Sequence, residues 1–239
     1  MTSYKYIGSE LHLFAAAINW KTYVRSQLKP YLGKEVLEVG AGLGSTTQIL
    51  CSKDSQRWIC MEPDAALATQ LARLFSNGPL SASCQVYVGA LGQENMPLQP
   101  FDTILYIDVL EHIQDDASEL RKAVRYLKCG GHIIVLAPAH QWLYTPFDQA
   151  IGHFRRYTKT SLAALTPEHT EIVRLVYLDA IGLFGSLGNR LFLKRSMPTA
   201  RHVASWDKLM VPLSRMIDPL LGYAVGKSVL AIWQKKAQE

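Results

Sequence analysis

A glycine-rich bend at residues 38 to 44 is the part of the sequence whose residue types most clearly predict chemistry. It reads E-x-G-x-G-x-G, with Glu38 followed by Gly40, Gly42 and Gly44. Glycine adopts positive φ and lets the backbone approach a ligand with no Cβ in the way. The apolar run "VLEV" leads into the bend and the helix-compatible "STTQIL" follows it, so the free N–H groups of that helix would face the same ligand.

Two acidic residues indicate which ligand the bend would bind. A phosphate-binding loop needs a lysine directly after its last glycine, and none follows Gly44. Glu38, inside the bend, would repel a pyrophosphate and suits a ligand with a cationic end. Glu62 closes the next strand-like run, 22 residues after Gly40, where a carboxylate can accept hydrogen bonds from both hydroxyls of a ribose. A ribose, a glycine-contacted group and a positive charge together describe S-adenosylmethionine, with a dinucleotide or a bare structural turn as the weaker alternatives.

Composition excludes several classes of protein. The chain has 239 residues, 49% of them hydrophobic and 19% charged, which suits a single α/β domain with a sizeable core. The N-terminus does not read as a signal peptide and no stretch is apolar for long enough to span a membrane, so we expect a cytoplasmic protein. The four cysteines have no CxxC spacing and no histidine placed for zinc. They are predicted to be reduced thiols, and no metal site is predicted.

The elements that must position the bend alternate between strand and helix. Strand-like runs recur as "EVLEV", "RWICM", "CQVYV", "FDTILYI", "GHIIVLA" and "EIVRLVYL", with amphipathic helical patterns between them. Asp64 is placed as the N-cap of one such helix. Strand and helix alternation with continuously apolar strands predicts a mostly parallel sheet covered on both faces. In such a sheet a glycine turn at the carboxyl end of a central strand is the expected ligand crevice.

Four segments resemble the motifs of one known family. "LEVGAGLG" resembles its first motif, "CMEPD" the acidic end of its second strand, "FDTILYIDVLEHIQDD" its fourth strand and loop, and "LKCGGHIIVLAP" the next helix and strand. Over residues 33–138 the sequence is similar to the class I S-adenosylmethionine-dependent methyltransferases. The loop 137–162 resembles that of a subset acting on small molecules or glycoconjugates. The resemblance implies an α/β, Rossmann-like, seven-stranded and mostly parallel sheet with helices on both faces. It also implies an antiparallel last strand, "SVLAIW", and a helical insertion between strands six and seven.

The resemblance further implies which residues would hold the cofactor S-adenosylmethionine. Glu38 and the glycine bend would face its methionine part and Glu62 its ribose. The cofactor-binding residues so implied are Glu38, Gly40, Ala41, Gly42, Gly44, Glu62, Pro63, Ala90, Leu91, Asp108, Val109 and His112. Many members carry an acidic or amide side chain after the third strand, whereas "VGALG" stands here, so backbone groups and apolar packing would have to contact the adenine.

The chemistry of transfer points to a second region, the loop 137–162. Methyl transfer needs a base only when the nucleophile is a hydroxyl or a similarly weak acid. This loop is dense in histidine, aromatic and charged residues and starts where the fifth strand ends. The predicted catalytic candidates are His153, His140 and His112. The predicted substrate-binding residues are Trp142, Tyr144, Arg155, Arg156 and Tyr157, with the arginines pairing with an anionic group. The open alternative is that Asp148 and the arginines form a network that only braces the loop.

The predicted domain organisation is one methyltransferase domain over 1–239. Residues 1–32 are predicted to form an N-terminal lid helix, 33–178 the core, 179–225 a helical cap and 226–239 the last strand. From Arg190 onward the chain has nine Lys/Arg and three Asp/Glu, a net charge of +6. Because the whole chain has a net charge of +5, the first 189 residues carry −1. An apolar segment with basic flanks fits a lipid-like acceptor, peripheral membrane contact, a plain helical cap or a homodimer interface. Nucleic acid is not expected as a partner, because interleaved aromatic residues are missing.

These patterns predict an enzyme that transfers a methyl group to an oxygen of a small organic or lipid- or sugar-linked acceptor. Nitrogen and carbon are the weaker acceptor atoms. A cofactor-binding or membrane-associated interaction protein without catalysis on the same fold is the alternative function. An NAD-dependent oxidoreductase is the third.

Overall fold

In the computed structural model, the described part of the chain comprises residues 5–8, 10–76, 80, 83–93, 96, 99–188 and 198–237. Within these residues seven strands form one sheet in the order β3-β2-β1-β4-β5-β7-β6. The strands are β1 (Glu35–Val39), β2 (Arg57–Glu62), β3 (Cys84–Val88), β4 (Phe101–Ile107), β5 (Leu127–Pro138), β6 (Thr170–Leu178) and β7 (Ser228–Lys235). Strand β7 runs antiparallel to both β5 and β6, and the other pairs are parallel. The predicted fold class, including the antiparallel last strand, is confirmed.

The central strands are apolar on both faces because helices cover both faces. Successive side chains of a strand point to opposite sides of the sheet. Leu37 accordingly joins one buried cluster with Ile59 and Tyr106, and its neighbour Val36 joins the other with Trp58. This double coverage explains why the strands read as continuous apolar runs in the sequence.

The helices connect the strands and supply these two layers. They are α1 (Leu11–Ala15), α2 (Ile18–Leu28), α3 (Thr47–Leu50), α4 (Ala65–Ser76), α5 (Asp116–Arg125), α6 (Pro146–Ala150), α7 (Lys159–Ala164), α8 (Ala180–Gly188), α9 (Ala200–Ser205) and α10 (Val211–Leu220). Asp64 caps α4 as predicted, since its Oδ1 accepts the backbone N–H groups of Ala66 and Leu67 at 2.8 and 3.1 Å. This cap fixes the direction in which the chain leaves β2.

The N-terminal segment forms two helices, α1 and α2, where one continuous amphipathic helix was expected. The aromatic residues of α2 pack against the insertion between β6 and β7. The Tyr23 hydroxyl donates to Asp218 Oδ2 at 2.7 Å, and the Trp20 backbone N–H donates to Asp207 Oδ1 at 2.8 Å. Asn19 donates to the same Asp207 carboxylate. The segment is thereby fastened to residues 200–220 far along the chain.

The insertion between β6 and β7 is helical wherever it is described. Helix α8 leads away from the sheet, and α9, a π-helical turn (Trp206–Met210) and α10 return as one continuous stretch. Asp179, at the end of β6, anchors this return, because its carboxylate accepts from Trp206 Nε1 and from the Ser214 hydroxyl, both at 2.7 Å. Residues 189–197, which carry three of the basic residues, lie outside the described part. Among the described helices, none combines the length and hydropathy that a membrane crossing requires.

Candidate functional site

The glycine bend lies between β1 and α3 and uses a backbone that only glycine adopts easily. Gly40, Gly42 and Gly44 have φ of 70°, 54° and 72°. A Cβ on Gly40 would lie 2.6 Å from Val109 Cγ2, and one on Gly44 would lie 2.5 Å from Leu71 Cδ1. The bend is therefore pressed against the residues that follow β4, the strand beside β1. It forms one side of a crevice at the carboxyl ends of the central strands.

Glu62 forms the second side of the crevice. Its Oε2 accepts the Gly42 N–H at 2.8 Å, and its Oε1 accepts the Asp64 N–H at 3.0 Å. Burial raises the pKa of this carboxyl group, while the two backbone hydrogen bonds oppose that shift. Each carboxylate oxygen can accept more than one hydrogen bond. Glu62 thus keeps acceptor capacity at the rim of the bend.

The segment before α1 passes over this crevice. The Tyr6 N–H donates to Asp64 Oδ2 at 2.8 Å. The Leu11 side chain lies 3.7 Å from the position that a Cβ on Gly42 would occupy. A small molecule bound at the bend would therefore be covered by this segment and kept from water.

Glu38 lies beneath the bend. It is buried, and its Oε2 accepts from the Thr47 hydroxyl and from Trp58 Nε1, each at 2.8 Å. Burial raises the pKa of Glu38 to about 7, against the effect of these two hydrogen bonds. Its contact with a cationic end of the ligand stays a prediction. The structure shows Glu38 joining β1, β2 and α3 below the ligand crevice.

The remaining predicted cofactor residues line the ends of β1 to β4. Asp108 follows β4, has a φ of 54° and is exposed to the crevice. Pro63 and Val109 are half-buried, Ala90 is exposed, and Ala41 and Leu91 are buried. Beyond this group stands the 3₁₀ turn Leu110–His112.

This turn places Glu111 and His112 against His153 from the loop after β5. The His112 and His153 rings are 4.5 Å apart between centroids and cross at 81°. His153 Nε2 lies 3.8 Å from Glu111 Oε1. Glu111 is completely buried, and neither of its carboxylate oxygens has a hydrogen-bond partner among the described residues. Burial and the neighbouring His153 lower the pKa of His112 to about 4. We call these three residues the Glu111–His112–His153 cluster.

The loop 137–162 is held together by Asp148. Its carboxylate accepts from Arg156 through Nε at 2.7 Å and a terminal nitrogen at 2.9 Å, and it lies 3.0 Å from His153 Nδ1. The same carboxylate accepts from the Thr145 N–H and hydroxyl, each at 2.8 Å. Tyr144 adds to this network by donating its hydroxyl to the His153 carbonyl at 2.6 Å. The ring of His153 is therefore fixed, with Nδ1 toward Asp148 and Nε2 toward Glu111.

Several predicted substrate-binding side chains have partners inside the protein. Arg155 pairs with Asp116 at 2.6 Å and donates to the Gln114 carbonyl. Tyr157 is buried and donates its hydroxyl to Asp116 at 2.7 Å. The assignment of Tyr157 to an acceptor surface is wrong, because its ring lies in the core and its hydroxyl is used there. For Arg155 and Arg156 the bracing alternative matches the observed contacts.

His140 is separate from the other two histidines. It has a φ of 66°, its Nε2 lies 3.0 Å from the Gly226 carbonyl, and its ring lies 4.8 Å from that of Tyr177. It therefore rests on the ends of β6 and β7, away from the cluster. Trp142, beside it, is 47% exposed and is free to meet an acceptor.

The chain is similar in sequence to known methyltransferases. The protein-family description "Methyltransferase domain" matches residues 37–133. The chain is 26% identical to ajmaline N-methyltransferase of Rauvolfia serpentina over 187 residues, covering 77% of this chain and 58% of the relative. It is 31% identical to the ubiquinone biosynthesis O-methyltransferase of Pseudomonas fluorescens (strain SBW25) over 101 residues, 42% of this chain and 43% of the relative. The chain thus spans about half the length of these curated relatives.

The fold is shared with a protein in a solved structure described as a complex between the Haloferax volcanii Trm112 methyltransferase activator and a methyltransferase. The TM-score is 0.64 at 13% identity, with 98% of this chain and 99% of the other covered. Residues 37–133 thus match a methyltransferase domain, and the fold is that of the class I S-adenosylmethionine-dependent methyltransferases. S-adenosylmethionine is the cofactor of this family.

The residues of the crevice fit that cofactor. The positive φ values leave the bend without side chains where a ligand must approach, and Glu62 has acceptor capacity toward it. Glu62, the glycine bend and Asp108 would hold the cofactor between the ends of β1, β2 and β4. The segment at Tyr6 and Leu11 would cover the bound cofactor.

One feature of the methyltransferase site was missed by sequence reasoning. His112 and His153 were both candidates, but nothing indicated that they meet, and Glu111 was not assigned a role. The two parts of the cluster are about forty residues apart in the sequence. The sequence does contain a signal for this meeting. "LEHI" follows β4 and "DQAIGH" follows β5, and these two strands are neighbours in the sheet.

Proposed function

We propose that the chain transfers a methyl group from S-adenosylmethionine to an oxygen of a small organic or lipid- or sugar-linked acceptor. The observation that carries this proposal is the Asp148–His153 pair, held beside the glycine crevice with Nε2 directed toward Glu111. When bound, the cofactor supplies a methyl group on a positively charged sulfur to an attacking nucleophile. An attacking hydroxyl must lose its proton, and the site contains a fixed group able to receive it.

The protein's own residues would do three things in this reaction. Glu62 and the glycine bend bind and orient the cofactor, so that positioning supplies much of the rate. The segment at Tyr6 and Leu11 excludes water. His153 takes the proton of the acceptor at Nε2, while Asp148 holds the ring through Nδ1.

Nitrogen is the second candidate atom, since the Rauvolfia relative is named as an N-methyltransferase. A neutral amine attacks without prior loss of a proton, so an anchored histidine adds little to its reactivity. The anchored His153 therefore favours oxygen, the atom named for the Pseudomonas relative.

The proposal is tested by the variant His153→Ala. With acceptors drawn from a panel of phenols, sugars and lipid-linked sugars, we expect kcat to fall by about 10²-fold or more, in line with loss of a general base. The affinity for S-adenosylhomocysteine, measured by calorimetric titration, should change less than about threefold, because His153 is not placed on the cofactor.

The matched control is His169→Asn, at an exposed histidine whose φ of 61° asparagine tolerates. It should leave kcat unchanged. If amines are methylated and hydroxyl acceptors are not, or if His153→Ala retains full kcat with a hydroxyl acceptor, oxygen transfer through this cluster is refuted.

The exposed side of α10 supports an acceptor embedded in an anionic lipid surface. Leu209, Leu213, Met216 and Leu220 are spaced for one helix face and are 51 to 80% exposed. The opposite face, which includes Ser214 and Asp218, is buried against the protein. Exposed Lys208 and Arg215 lie on the same stretch. An apolar stripe with cationic neighbours complements a membrane of negative surface charge.

Vesicle flotation tests this surface. The wild-type protein should float with vesicles that contain about one third anionic phospholipid and less with neutral vesicles, because cations near the surface add about 1 kcal/mol each. The double variant Leu213→Glu/Met216→Glu should remain unbound, whereas Ile172→Glu, at an exposed apolar position on β6, should float like wild type. A concentration-dependent dimer that these two substitutions dissociate, together with no flotation, would assign the face to a second copy instead.

A further inference from the structure

We propose that the Glu111–His112–His153 cluster is a binding site for a divalent transition-metal ion. The cluster offers one carboxylate and two imidazoles, and one ligand atom from each lies within 4.8 Å of the others. No metal site is predicted from the sequence, because the cysteines have no CxxC spacing and no histidine is placed for zinc beside them. The site lies at the carboxyl ends of β4 and β5, next to the cofactor crevice.

The Glu111 carboxylate is placed to bind a metal ion. It is fully buried, and within the described part of the chain both carboxylate oxygens lack a hydrogen-bond partner. A buried carboxylate is costly unless it is paired, hydrogen-bonded or bound to a metal. The nearest basic atom is His153 Nε2 at 3.8 Å, which is beyond hydrogen-bond distance. The backbone of Glu111 is meanwhile fixed, since its carbonyl accepts the Phe154 N–H at 2.8 Å.

The His153 ring is held in the orientation of a metal ligand. Asp148 lies 3.0 Å from Nδ1, which leaves Nε2 as the nitrogen with a free lone pair on the side of Glu111. The backbone of His153 is fixed at both ends, by its N–H to Asp148 and by the Tyr144 hydroxyl to its carbonyl. A carboxylate behind a histidine that orients the ring and raises its basicity is the usual outer arrangement of a metal-ligating histidine.

His112 completes a set of three ligands. Its ring stands almost perpendicular to that of His153 and lies against Tyr6 on the other side, at 5.8 Å between centroids. Bonds of about 2.0 to 2.2 Å to one metal ion require the three ligand atoms to move closer by about 1 Å. The proposal therefore requires the Glu111 and His112 side chains to rotate when the ion binds.

The donor set selects the class of metal. Two imidazoles and one carboxylate suit Zn²⁺, Fe²⁺, Mn²⁺ or Co²⁺, whereas Ca²⁺ and Mg²⁺ take oxygen ligands. Three protein ligands leave a position for an oxygen of the acceptor, and a bound metal lowers the pKa of a hydroxyl that it binds. This role rests on the proposed function and changes one step of it: with the ion bound, His153 Nε2 would be a ligand and no longer the base, and the metal-bound hydroxyl would release its proton to solvent water.

The test is titration of Zn²⁺ by calorimetry, and of Co²⁺ by visible absorption, into the full chain after removal of metal with a chelator. We expect one equivalent to bind. Glu111→Gln and His153→Ala should each weaken binding at least 100-fold, and the control His169→Asn should bind as wild type does. Glu111→Gln should also raise the melting temperature of the metal-free protein, because it removes a buried unpartnered carboxylate.

Each outcome decides a separate claim. Absence of stoichiometric binding, or binding that Glu111→Gln leaves unchanged, overturns the metal site. If chelator-treated protein still methylates a hydroxyl acceptor at the full rate, the metal role fails and the proposed function stands. If one metal ion binds as predicted and no acceptor is methylated, the proposed function fails and the metal site stands.

Discussion

Replacement of Asp148 by alanine is expected to lower the free energy of unfolding by about 3 to 5 kcal/mol, the cost of breaking a buried ion pair by removing one partner. Asp148 is buried, and it accepts hydrogen bonds from Arg156 and Thr145 and orients His153. Without it the guanidinium of Arg156 stays largely buried with no carboxylate opposite. Denaturant unfolding of the variant at pH 7 measures the loss.

The effect of Asp148 has a defined pH dependence. Burial alone would raise the pKa of this carboxyl group, but His153 and Arg156 hold it well below its ordinary value. A group whose pKa is lowered by folding stabilises the native state above its unfolded pKa of about 4, and this contribution is lost as the pH falls toward the folded value. The difference between wild type and Asp148→Ala should therefore be constant from pH 5 to 8 and shrink below about pH 4. Asp54→Ala, at an exposed aspartate, should change stability by less than about 0.5 kcal/mol. A loss under 1 kcal/mol for Asp148→Ala would contradict this account of the loop.

Replacement of Glu62 by alanine should weaken S-adenosylmethionine binding by about 10² to 10⁴-fold. Two charge-assisted hydrogen bonds to a ribose would contribute about 1.5 to 3 kcal/mol each, and every 1.4 kcal/mol is a factor of ten. Alanine also frees the N–H groups of Gly42 and Asp64, which Glu62 holds in place. The bend would then lose both its ligand partner and its support.

A second substitution separates binding from folding. Glu62→Gln keeps the shape and one acceptor oxygen, so its fold should persist and its affinity should fall by about tenfold. Glu168→Ala, at an exposed glutamate beyond α7, should bind as wild type does. If Glu62→Ala unfolds, the glutamine variant still tests the contact.

The fold could be predicted from the sequence because its signals are local. Apolar runs of strand length, the cap at Asp64 and the glycine bend each depend on neighbouring residues, and the parallel order follows from their alternation with helices. The bend was also correctly placed at the carboxyl end of a central strand. The structure adds a second reason for a glycine at position 40: Val109 packs so closely that a Cβ would not fit. This contact arises because β1 pairs with β4, so it could not be seen in the sequence.

The partners of the individual side chains could not be predicted, because they are distant in the sequence and no local pattern encodes such contacts. Tyr23 and Trp20 lie shortly before β1 in the sequence, yet their partners Asp218 and Asp207 lie almost 200 residues away. Arg155 carries the residue type of an anion-binding site, but it pairs with Asp116 at the start of α5. The cluster around Glu111 arises in the same way, from two loops that meet only in the folded chain.

The most direct test of the central claim is a calorimetric titration of S-adenosylmethionine, and of its product S-adenosylhomocysteine, into wild-type protein and Glu62→Ala. The account predicts one saturable site in wild type and a loss of at least 100-fold in the variant, with no competition by NAD. Binding that Glu62→Ala leaves unchanged, or a site that takes NAD in preference to S-adenosylmethionine, would contradict it.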